Sequence, residues 1–493
     1  MARDGRADLA VVGAGPAGLT AAVTAAGQGL SVMLVDAADQ IGGQFWRHPD
    51  ERHLEAFARD ESTGHHHWGR FADLRSRLRA AVRDGSVRHV TGRQVWRAER
   101  IPDGFALRTT PSVGTERLPA ADRTVTASRL ILATGAYDRQ LPVPGWTLPG
   151  VMAAGGVQAM LKANQVAAGR KAVVAGTGPF LLSVAAGLAE AGVEVVAVCD
   201  ANALSRWART PVRAVQEPGK LLEGVSYAAT FLRSRVPFRS RTVVTEVRGE
   251  GRASAVVLQK VDARGRPRAG TERVIEADLV AFGWGFTPQL ELAVGLGLDT
   301  RVDVDSSLVV TVDDAQRTSL PGVYAAGEVT GIGGAVQSCA EGALAAQAAA
   351  ADAAGAAIGR GAARLRRRIA RGRRFAVGMH RASPVPERWT EWLEPETLVC
   401  RCEEVSAAEA TGAVSCLGSD DARDVRVTAR PGMGWCQGRV CGFALSSLVA
   451  SETGRSAGAA DLEALVRRPI GVPVRLGDIA ALADDVSERT ERT

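Results

Sequence analysis

Apolar residues occur in short runs separated by glycine turns, and one such pattern occurs twice. The segment "ADLAVVGAGPAGLTAAVTAAGQGLSVMLVD", from residue 7, reads as a buried strand, a glycine turn, a helix of small residues and a second buried strand. The segment "GRKAVVAGTGPFLLSVAAGLAEAGVEVVAVCD", from residue 169, repeats this order. Strands that alternate with helices at this spacing predict parallel sheets, so the fold class is α/β with two similar units.

Later segments extend this organisation. Buried strands in "SRLILATGAYDRQLPVPG" and "LPGVYAAGEVTGIGG" are predicted to belong to the first unit, and alternating positions between residues 241 and 286 predict a small meander. An arginine-rich stretch follows, which we interpret as a solvated helix face or, alternatively, a surface for an acidic partner subunit. The predicted domains are a dinucleotide-binding domain in two parts (1–150 and 278–355), a second dinucleotide-binding domain (151–277), a basic connector (356–394), a cysteine domain (395–455) and a C-terminal tail (456–493).

Composition restricts the classes of partner. The chain has 493 residues, a formal charge of +6 and a pI of 9.1, with no basic strip that also carries aromatic residues, so no nucleic-acid partner is predicted. No uninterrupted apolar run of about eighteen residues occurs, so no transmembrane segment is expected, although peripheral membrane contact stays open. Cys199, Cys339 and Cys416 stand alone in the sequence, which favours a reducing, cytoplasmic location.

The first glycine turn has the composition of a dinucleotide site. Gly13 can make the tight turn, Gly15 lets a pyrophosphate approach the backbone, and Gly18 lets the helix pack on the strand. Asp36 ends the second strand, where a carboxylate can bind the ribose hydroxyls of an adenosine. Because strand, turn, helix and acid are all in register, this site is predicted to bind an adenine dinucleotide.

The second glycine turn departs from that pattern. Gly176 and Gly178 are present, but Leu181 occupies the third glycine position, where a large side chain would hold the helix away from the strand and the phosphates. Asp200 still ends the second strand. We therefore expect the fold to be retained, with weak or no binding of NAD.

Two close cysteine pairs lie near the C-terminus, in "LVCRCEEV" and "GMGWCQGRVCG". Four thiolates that meet at one point form a soft-metal site, and a C-x-C pair suits one iron of a [2Fe–2S] cluster. Zinc, a disulfide or inert cysteines remain alternatives. Nearby arginines are predicted to be solvated surface or to compensate the charge of a cluster, and the predicted ligands are Cys400, Cys402, Cys436 and Cys441.

Several kinds of catalytic site are missing from the sequence. The segment after Gly42 and Gly43 contains no cysteine, and Cys199 is isolated, so the chain is not predicted to be a disulfide reductase. No Ser/His/Asp or paired-carboxylate arrangement can be argued from the spacing, and the catalytic residues are unknown. The substrate-activating site is therefore expected elsewhere.

The glycine motifs and the segments around Thr134 and Gly327 resemble the two-dinucleotide-domain flavoprotein fold of glutathione and thioredoxin reductases. In that family the acid at the position of Glu328 is usually Asp and contacts the ribityl chain of the flavin. The longer side chain leaves either FAD or a smaller adenine nucleotide in this site. The resemblance implies further cofactor contacts at Pro16, Ala17, Gly43, Gln44, Thr134, Gly135, Gly327 and Glu328.

The whole chain, including "PGWTLPGVMAAGGVQAMLK" and "RRPIGVPVRLGDIA", resembles the alpha (A) subunit of heteromeric FAD-dependent amine dehydrogenases and oxidases. Its cysteine segment is similar to the [2Fe–2S] domain of bacterioferritin-associated ferredoxin. The resemblance implies an electron-transfer subunit that accepts electrons from a smaller, FAD-containing subunit of the D-amino-acid-oxidase type. Two alternatives are a stand-alone NAD(P)H-dependent flavin and [2Fe–2S] oxidoreductase, and a scaffold with structurally filled nucleotide sites.

Overall fold

The repeated strand–turn–helix pattern forms two separate sheets in the computed structural model, which describes residues 6–112, 123–208 and 218–480. Both glycine turns connect a buried strand to a helix, as the hydrophobic pattern predicts. The predicted α/β class is confirmed.

The first sheet has seven strands and contains the N-terminal glycine turn. Its central strands are parallel because each is followed by a crossover, whereas its last two strands form an antiparallel hairpin. The spatial order is Val87–Val90, Val32–Val35, Ala7–Val12, Thr124–Leu132, Gly104–Pro111 and Arg93–Ile101, and Val323–Ala325 pairs with Thr124–Leu132.

Three helices cover this sheet: Pro16–Ala26, Trp68–Arg83 and Ala335–Ala354. The first and third are rich in alanine and glycine, and their buried residues form one core with the sheet. A Cβ at Gly342 would overlap the carbonyl oxygen of Ala17, so the close crossing of these two helices requires glycine. The crossing brings the start of one helix against the other, beside the first glycine turn.

The second sheet has five strands and contains the second glycine turn. In spatial order they are Phe238–Ser240, Glu194–Asp200, Lys171–Gly176, Leu279–Gly283 and Val151–Ala153, all parallel. Its helices are Ala154–Asn164, Phe180–Glu190, Ser205–Ala208 and Pro218–Arg233. The predicted meander is a three-stranded antiparallel sheet of Thr242–Arg248, Ala255–Lys260 and Arg273–Glu276.

The chain passes between the two units through a pair of antiparallel strands, Ala136–Asp138 and Phe286–Pro288. The remaining elements near this crossing are the short helix Glu291–Gly295, the strand pair Thr300–Val302 and Leu308–Val310, and the 3₁₀ turns Leu54–Ala56 and Glu328–Thr330.

The connector forms a helix, Ala362–Ala382, that lies against helix Ala335–Ala354, and a 3₁₀ turn, Trp389–Trp392. Arg373 pairs with the buried carboxylate of Asp303, so the predicted solvated face does not include all of the connector's arginines. Most of the others are exposed, including Arg360, Arg367 and Arg374. Among the described residues, no helix combines the length and apolar character needed to cross a membrane.

The cysteine region has its own small core. A hairpin of Leu398–Cys400 and Val405–Ser406 leads into helices Ala407–Leu417, Ala422–Ala429, Gly442–Thr453 and Ala459–Val466. Leu465, from the segment predicted as a tail, belongs to this core, and Leu462 and Val466 pack against the first sheet's core. The start of the tail is therefore a packed helix between two cores, and residues 481–493 of the tail lie outside the described part.

Candidate functional site: nucleotide turn and cysteine centre

The first glycine turn is shaped by close backbone contacts. Gly13 has φ +100° and donates its amide to the Val35 carbonyl at 2.8 Å. A Cβ at Gly13 would overlap the Ala133 carbonyl oxygen, and one at Gly18 would overlap the Gly13 carbonyl oxygen. The turn and the helix-to-strand contact therefore both depend on residues without a side chain.

Gly15 lies in more open surroundings than Gly13 and Gly18. A Cβ there would meet only the Cα of Gly43, at 3.9 Å, so the space above the turn is open. Pro16 is the first residue of helix Pro16–Ala26, where proline is favoured because it has no amide to leave unpaired. The following amides, from Ala17 and Gly18, have no intrahelical partner and carry the positive end of the helix dipole. This geometry suits a phosphate group.

Asp36 lies at the edge of the same turn. One of its carboxylate oxygens accepts from the amide of Ala14 and the other from the amide of Ala38, at 2.7 Å. Burial raises the pKa of this carboxyl above its usual value. A carboxylate has about four acceptor positions, so about two remain for the hydroxyls of a ribose.

The other predicted contacts fall into two groups. Gly135 has φ +78° and an open space where a side chain would be, and the hydroxyl of Thr134 beside it donates to the Gln289 carbonyl at 2.7 Å. Gly327 packs against Ala17 and donates its amide to Glu341 at 2.8 Å, so these residues surround the glycine turn. Gln44, by contrast, is exposed and accepts from Arg47.

Glu328 has one carboxylate oxygen engaged within the protein and one left for the contact that the family resemblance implies. One carboxylate oxygen accepts from the Gly334 amide at 2.9 Å, at the start of helix Ala335–Ala354. The other oxygen is buried and has no partner, and burial raises the pKa of the carboxyl to about 7. The longer side chain therefore binds the helix start, and its second oxygen still offers a buried acceptor for a hydroxyl group. The residues of this site fit a sugar or ribityl chain.

The four C-terminal cysteines come together in two pairs, each with one member from each segment. The sulfur of Cys402 lies 3.4 Å from that of Cys436, and the thiols of Cys400 and Cys441 hydrogen-bond to each other. This differs from the pairing within the C-x-C motif that the spacing favours. Cys400 ends a strand and is buried, whereas Cys402 follows in a turn and is exposed, so the two sulfurs point to different sides.

The arrangement bears on the choice between zinc and a cluster. A single tetrahedral zinc holds its four sulfurs about 3.8 Å apart, given Zn–S bonds of about 2.3 Å. In the described residues the only group of three or more ligands within 4.8 Å of one another is His48, Glu51 and Glu61, so no three of the four sulfurs are that close. That histidine–glutamate group is an ion-pair network with Arg75. Two separate sulfur pairs suit two metal atoms better than one.

Backbone groups also donate to the sulfurs and form the turns around them. The Gly432 amide donates to the sulfur of Cys400 at 3.3 Å, and Gly432 and Gly438 adopt φ +78° and +77° in the turns around the second pair. A hydrogen bond from the Cys441 thiol lowers the pKa of Cys400 to about 5, while the same contact raises the pKa of Cys441. This contact favours the thiolate form of Cys400, which is the form of cysteine that binds a metal.

Arg439, which lies between Cys436 and Cys441, links the cysteine region to the flavoprotein body. Its guanidinium forms an ion pair at 2.8 Å with Glu291, which is 4% exposed, and Tyr137 donates to the same oxygen at 2.8 Å. Arg430, by contrast, is 65% exposed and pairs with Glu403. The sequence missed Glu291 and Tyr137, because no local motif relates them to the cysteines.

A second contact runs parallel to this one. The guanidinium of Arg139 lies 3.9 Å from the centre of the Phe443 ring, a cation–π geometry. Arg139 is itself buried and pairs with Asp305 at 3.1 Å. Tyr137 and Arg139 follow Thr134 and Gly135 in the chain, so one short segment reaches from the nucleotide site to the second cysteine pair.

Comparison with known proteins agrees with this architecture. Residues 7–353 match the family described as pyridine nucleotide-disulphide oxidoreductase. The chain belongs to this family. It is thus an oxidoreductase of the flavoprotein type, and the predicted fold class is confirmed.

Two relatives cover almost the entire chain. Hydrogen cyanide synthase subunit HcnB of Pseudomonas aeruginosa is 31% identical over 90% of this chain and 93% of its own length. The A-type subunit of opine oxidase from Rhizobium meliloti is 32% identical over 97% of this chain and 99% of its own. The predicted membership among the alpha subunits of such enzymes is confirmed. Among solved structures, L-proline dehydrogenase from P. horikoshii shares the fold, with a TM-score of 0.66, 18% identity and coverage of 96% and 79%.

Proposed function

We propose that this chain is the electron-transfer subunit of a heteromeric amine dehydrogenase or oxidase. It accepts electrons from a smaller, FAD-containing subunit of the amino-acid-oxidase type, which oxidises a CH–NH or CH–NH₂ donor. The relatives are named as subunits of hydrogen cyanide synthase and opine oxidase, which supports a multi-subunit enzyme. The observation that carries the proposal is the pair of sulfur pairs joined to the flavoprotein body through Arg439 and Glu291.

The chain's residues have separate tasks in this function. Gly13, Gly15 and Gly18, with the start of helix Pro16–Ala26, would hold the phosphates of FAD or of a smaller adenine nucleotide. Asp36 would bind the ribose hydroxyls, and the free oxygen of Glu328 would accept from a hydroxyl of the sugar or ribityl chain. These contacts orient the nucleotide against the sheet.

Cys400, Cys402, Cys436 and Cys441 would ligate a [2Fe–2S] cluster. When bound, flavin and cluster supply the exchange of electrons, and the protein fixes their positions and potentials. The Gly432 amide stabilises negative charge on the Cys400 sulfur. Arg439 brings a positive charge close to the second pair and fixes the loop to the body.

Copurification tests the proposal. The chain is expressed with and without an amino-acid-oxidase-like chain from a neighbouring reading frame, and the complex is assayed with imino acids, opines and amino acids under a dye acceptor. We expect activity only in the complex, together with iron and acid-labile sulfide in a ratio of about one to one. Activity of the isolated chain on an amine would refute the subunit role, and zinc in place of iron would refute the cluster.

The stand-alone NAD(P)H-dependent oxidoreductase is the second candidate, favoured by the intact second parallel sheet and glycine turn. It predicts rapid bleaching of flavin absorbance when NADH is added anaerobically to the isolated chain. The same preparation therefore distinguishes the two functions.

A further inference from the structure

The second glycine turn is covered by the chain's own connector. The Thr177 hydroxyl, within the turn, donates to the Ser383 carbonyl at 3.1 Å. The side-chain amide of Asn202 donates to the Thr177 hydroxyl at 2.6 Å and to the Pro384 carbonyl at 2.9 Å. A Cβ at Gly178 would lie only 3.6 Å from the Cβ of Ser383. Ser383 thus lies where a pyrophosphate would have to approach this turn.

Asp200, the acid that would bind a ribose at this site, already accepts hydrogen bonds from the backbone. Asp200 is 7% exposed, and its carboxylate accepts from the backbone amide of Asn202 at 2.8 Å and from the backbone amide of Gly178. Beside it remains a cavity of about 80 Å³, lined by Ala201, Asn202, Ala203, Ser205, Arg206, Arg241, Asp262 and Ala263. Sites for small molecules and cofactors measure about 300–1,000 Å³, so this cavity by itself is too small for an adenosine.

Leu181 is not the obstacle that the sequence predicts. Its side chain is 1% exposed and belongs to the core beneath the second sheet. It packs against Gly283, where an added Cβ would lie 3.0 Å from the Leu181 side chain. The missing side chain at position 283 therefore makes room for the leucine between helix Phe180–Glu190 and the sheet.

The connector is held at this place by further contacts. The Arg388 amide donates to the Arg264 carbonyl at 3.0 Å, and the Trp392 indole donates to the Gly265 carbonyl at 2.8 Å. These bonds attach the segment after Pro384 to the three-stranded sheet's last turn. The cover is thus a built part of the fold and not a loose end.

We propose that residues 383–386 of the connector determine donor specificity by closing the second dinucleotide site, and that Thr177 and Asn202 act as the latch that holds them. The closed site prevents NADH or NADPH from delivering a hydride to this chain. Electrons must then come from a donor other than a nicotinamide, which in the proposed function is the partner subunit. The inference goes beyond the proposed function and does not depend on it.

The test compares NADH binding by four forms of the purified full-length chain. They are the wild type, the latch variant Thr177→Ala/Asn202→Ala, the single variant Leu181→Ala, and the matched control Thr245→Ala/Asn164→Ala, which alters the same residue types in the same domain. Binding is measured by fluorescence titration and calorimetry with NADH, and the opening of residues 383–386 by hydrogen exchange.

We expect the wild type, the control and Leu181→Ala to bind NADH more weakly than about 1 mM, and the latch variant to bind at least about tenfold more tightly, with faster exchange at residues 383–386. Micromolar binding by the wild type would overturn the inference. So would a gain of binding in Leu181→Ala alone, or a latch variant that melts like the control, exchanges faster and still does not bind.

Discussion

The ion pair between Arg439 and Glu291 should contribute strongly to the docking of the cysteine region. Its side chains are 17% and 4% exposed, at a separation of 2.8 Å. Removing one partner of a buried pair costs about 3–5 kcal/mol; because Glu291 would keep the Tyr137 hydroxyl as a donor, we expect the lower end of this range. The variant Arg439→Met should therefore lower the free energy of opening at this junction by about 3 kcal/mol.

Arg430→Met is the matched control. It removes the same charge from the same domain, but Arg430 is 65% exposed and its pair with Glu403 is of the surface kind. Such pairs contribute about 0–1 kcal/mol. The two variants should thus differ by about 2–3 kcal/mol, although both arginines lie close to predicted ligand cysteines in the sequence.

Native-state hydrogen exchange of the amides in residues 438–445 measures this difference. A loss of 3 kcal/mol corresponds to exchange about 100-fold faster. The double variant Glu291→Gln/Arg439→Met should recover part of the loss, since the carboxylate left by Arg439→Met is replaced by a neutral amide. Equal exchange in Arg439→Met and Arg430→Met would refute the reasoning, as would a double variant that is less stable than Arg439→Met.

Three further predictions concern the two sites. Cys402→Ser and Cys441→Ser should each lose iron and sulfide, whereas Cys416→Ser, which changes an exposed thiol of the same domain, should keep both; equal metal content in all three would exclude the predicted ligands. Gly18→Ala should cost about 1–3 kcal/mol and reduce flavin content, because its Cβ would overlap the Gly13 carbonyl oxygen, whereas Gly27→Ala at φ −64° should melt like the wild type. Burial raises the pKa of Glu328 from 4.5 to about 7, so the folded state retains a proton that the unfolded state releases. Glu328 should then contribute a fall in stability of about 3 kcal/mol as pH rises from 4.5 to 7, and Glu328→Gln should remove that contribution from the slope in urea unfolding, while buried carboxyls such as Asp200 keep theirs; an unchanged slope would contradict the assignment.

The parallel sheets were predictable because their strands carry local signals. Each strand is a short apolar run that ends in glycine or an acid, and the helix after it begins within a few residues. Gly13, Gly18 and Asp36 were identifiable for the same reason, since their spacing is fixed by one strand–turn–helix unit. The cysteine pairs were also visible, but which sulfurs meet was not, because Cys400 and Cys402 point to different sides of a turn.

Contacts between distant segments were not predictable. Glu291 and Arg439 are separated by about 150 positions in the sequence, and only the packing of two domains brings them together. Leu181 occupies the position in the second turn that Gly18 occupies in the first, which suggested a wider turn. Gly283, on a different strand, leaves the space that accommodates the leucine. Local patterns give the type of an element, and close packing across elements decides what a substitution does.

The path of the connector has a mechanical consequence. Gly372 approaches the Gln337 side chain on the first unit, and eleven to twelve residues later the same segment accepts hydrogen bonds from Thr177 and Asn202 on the second. Together with the antiparallel strands at the crossing, it connects the two units at a second place, and such a second connection opposes rotation about a single hinge. We therefore expect the proposed electron transfer to proceed over a fixed distance between the flavin and the cluster, without rotation of one unit against the other.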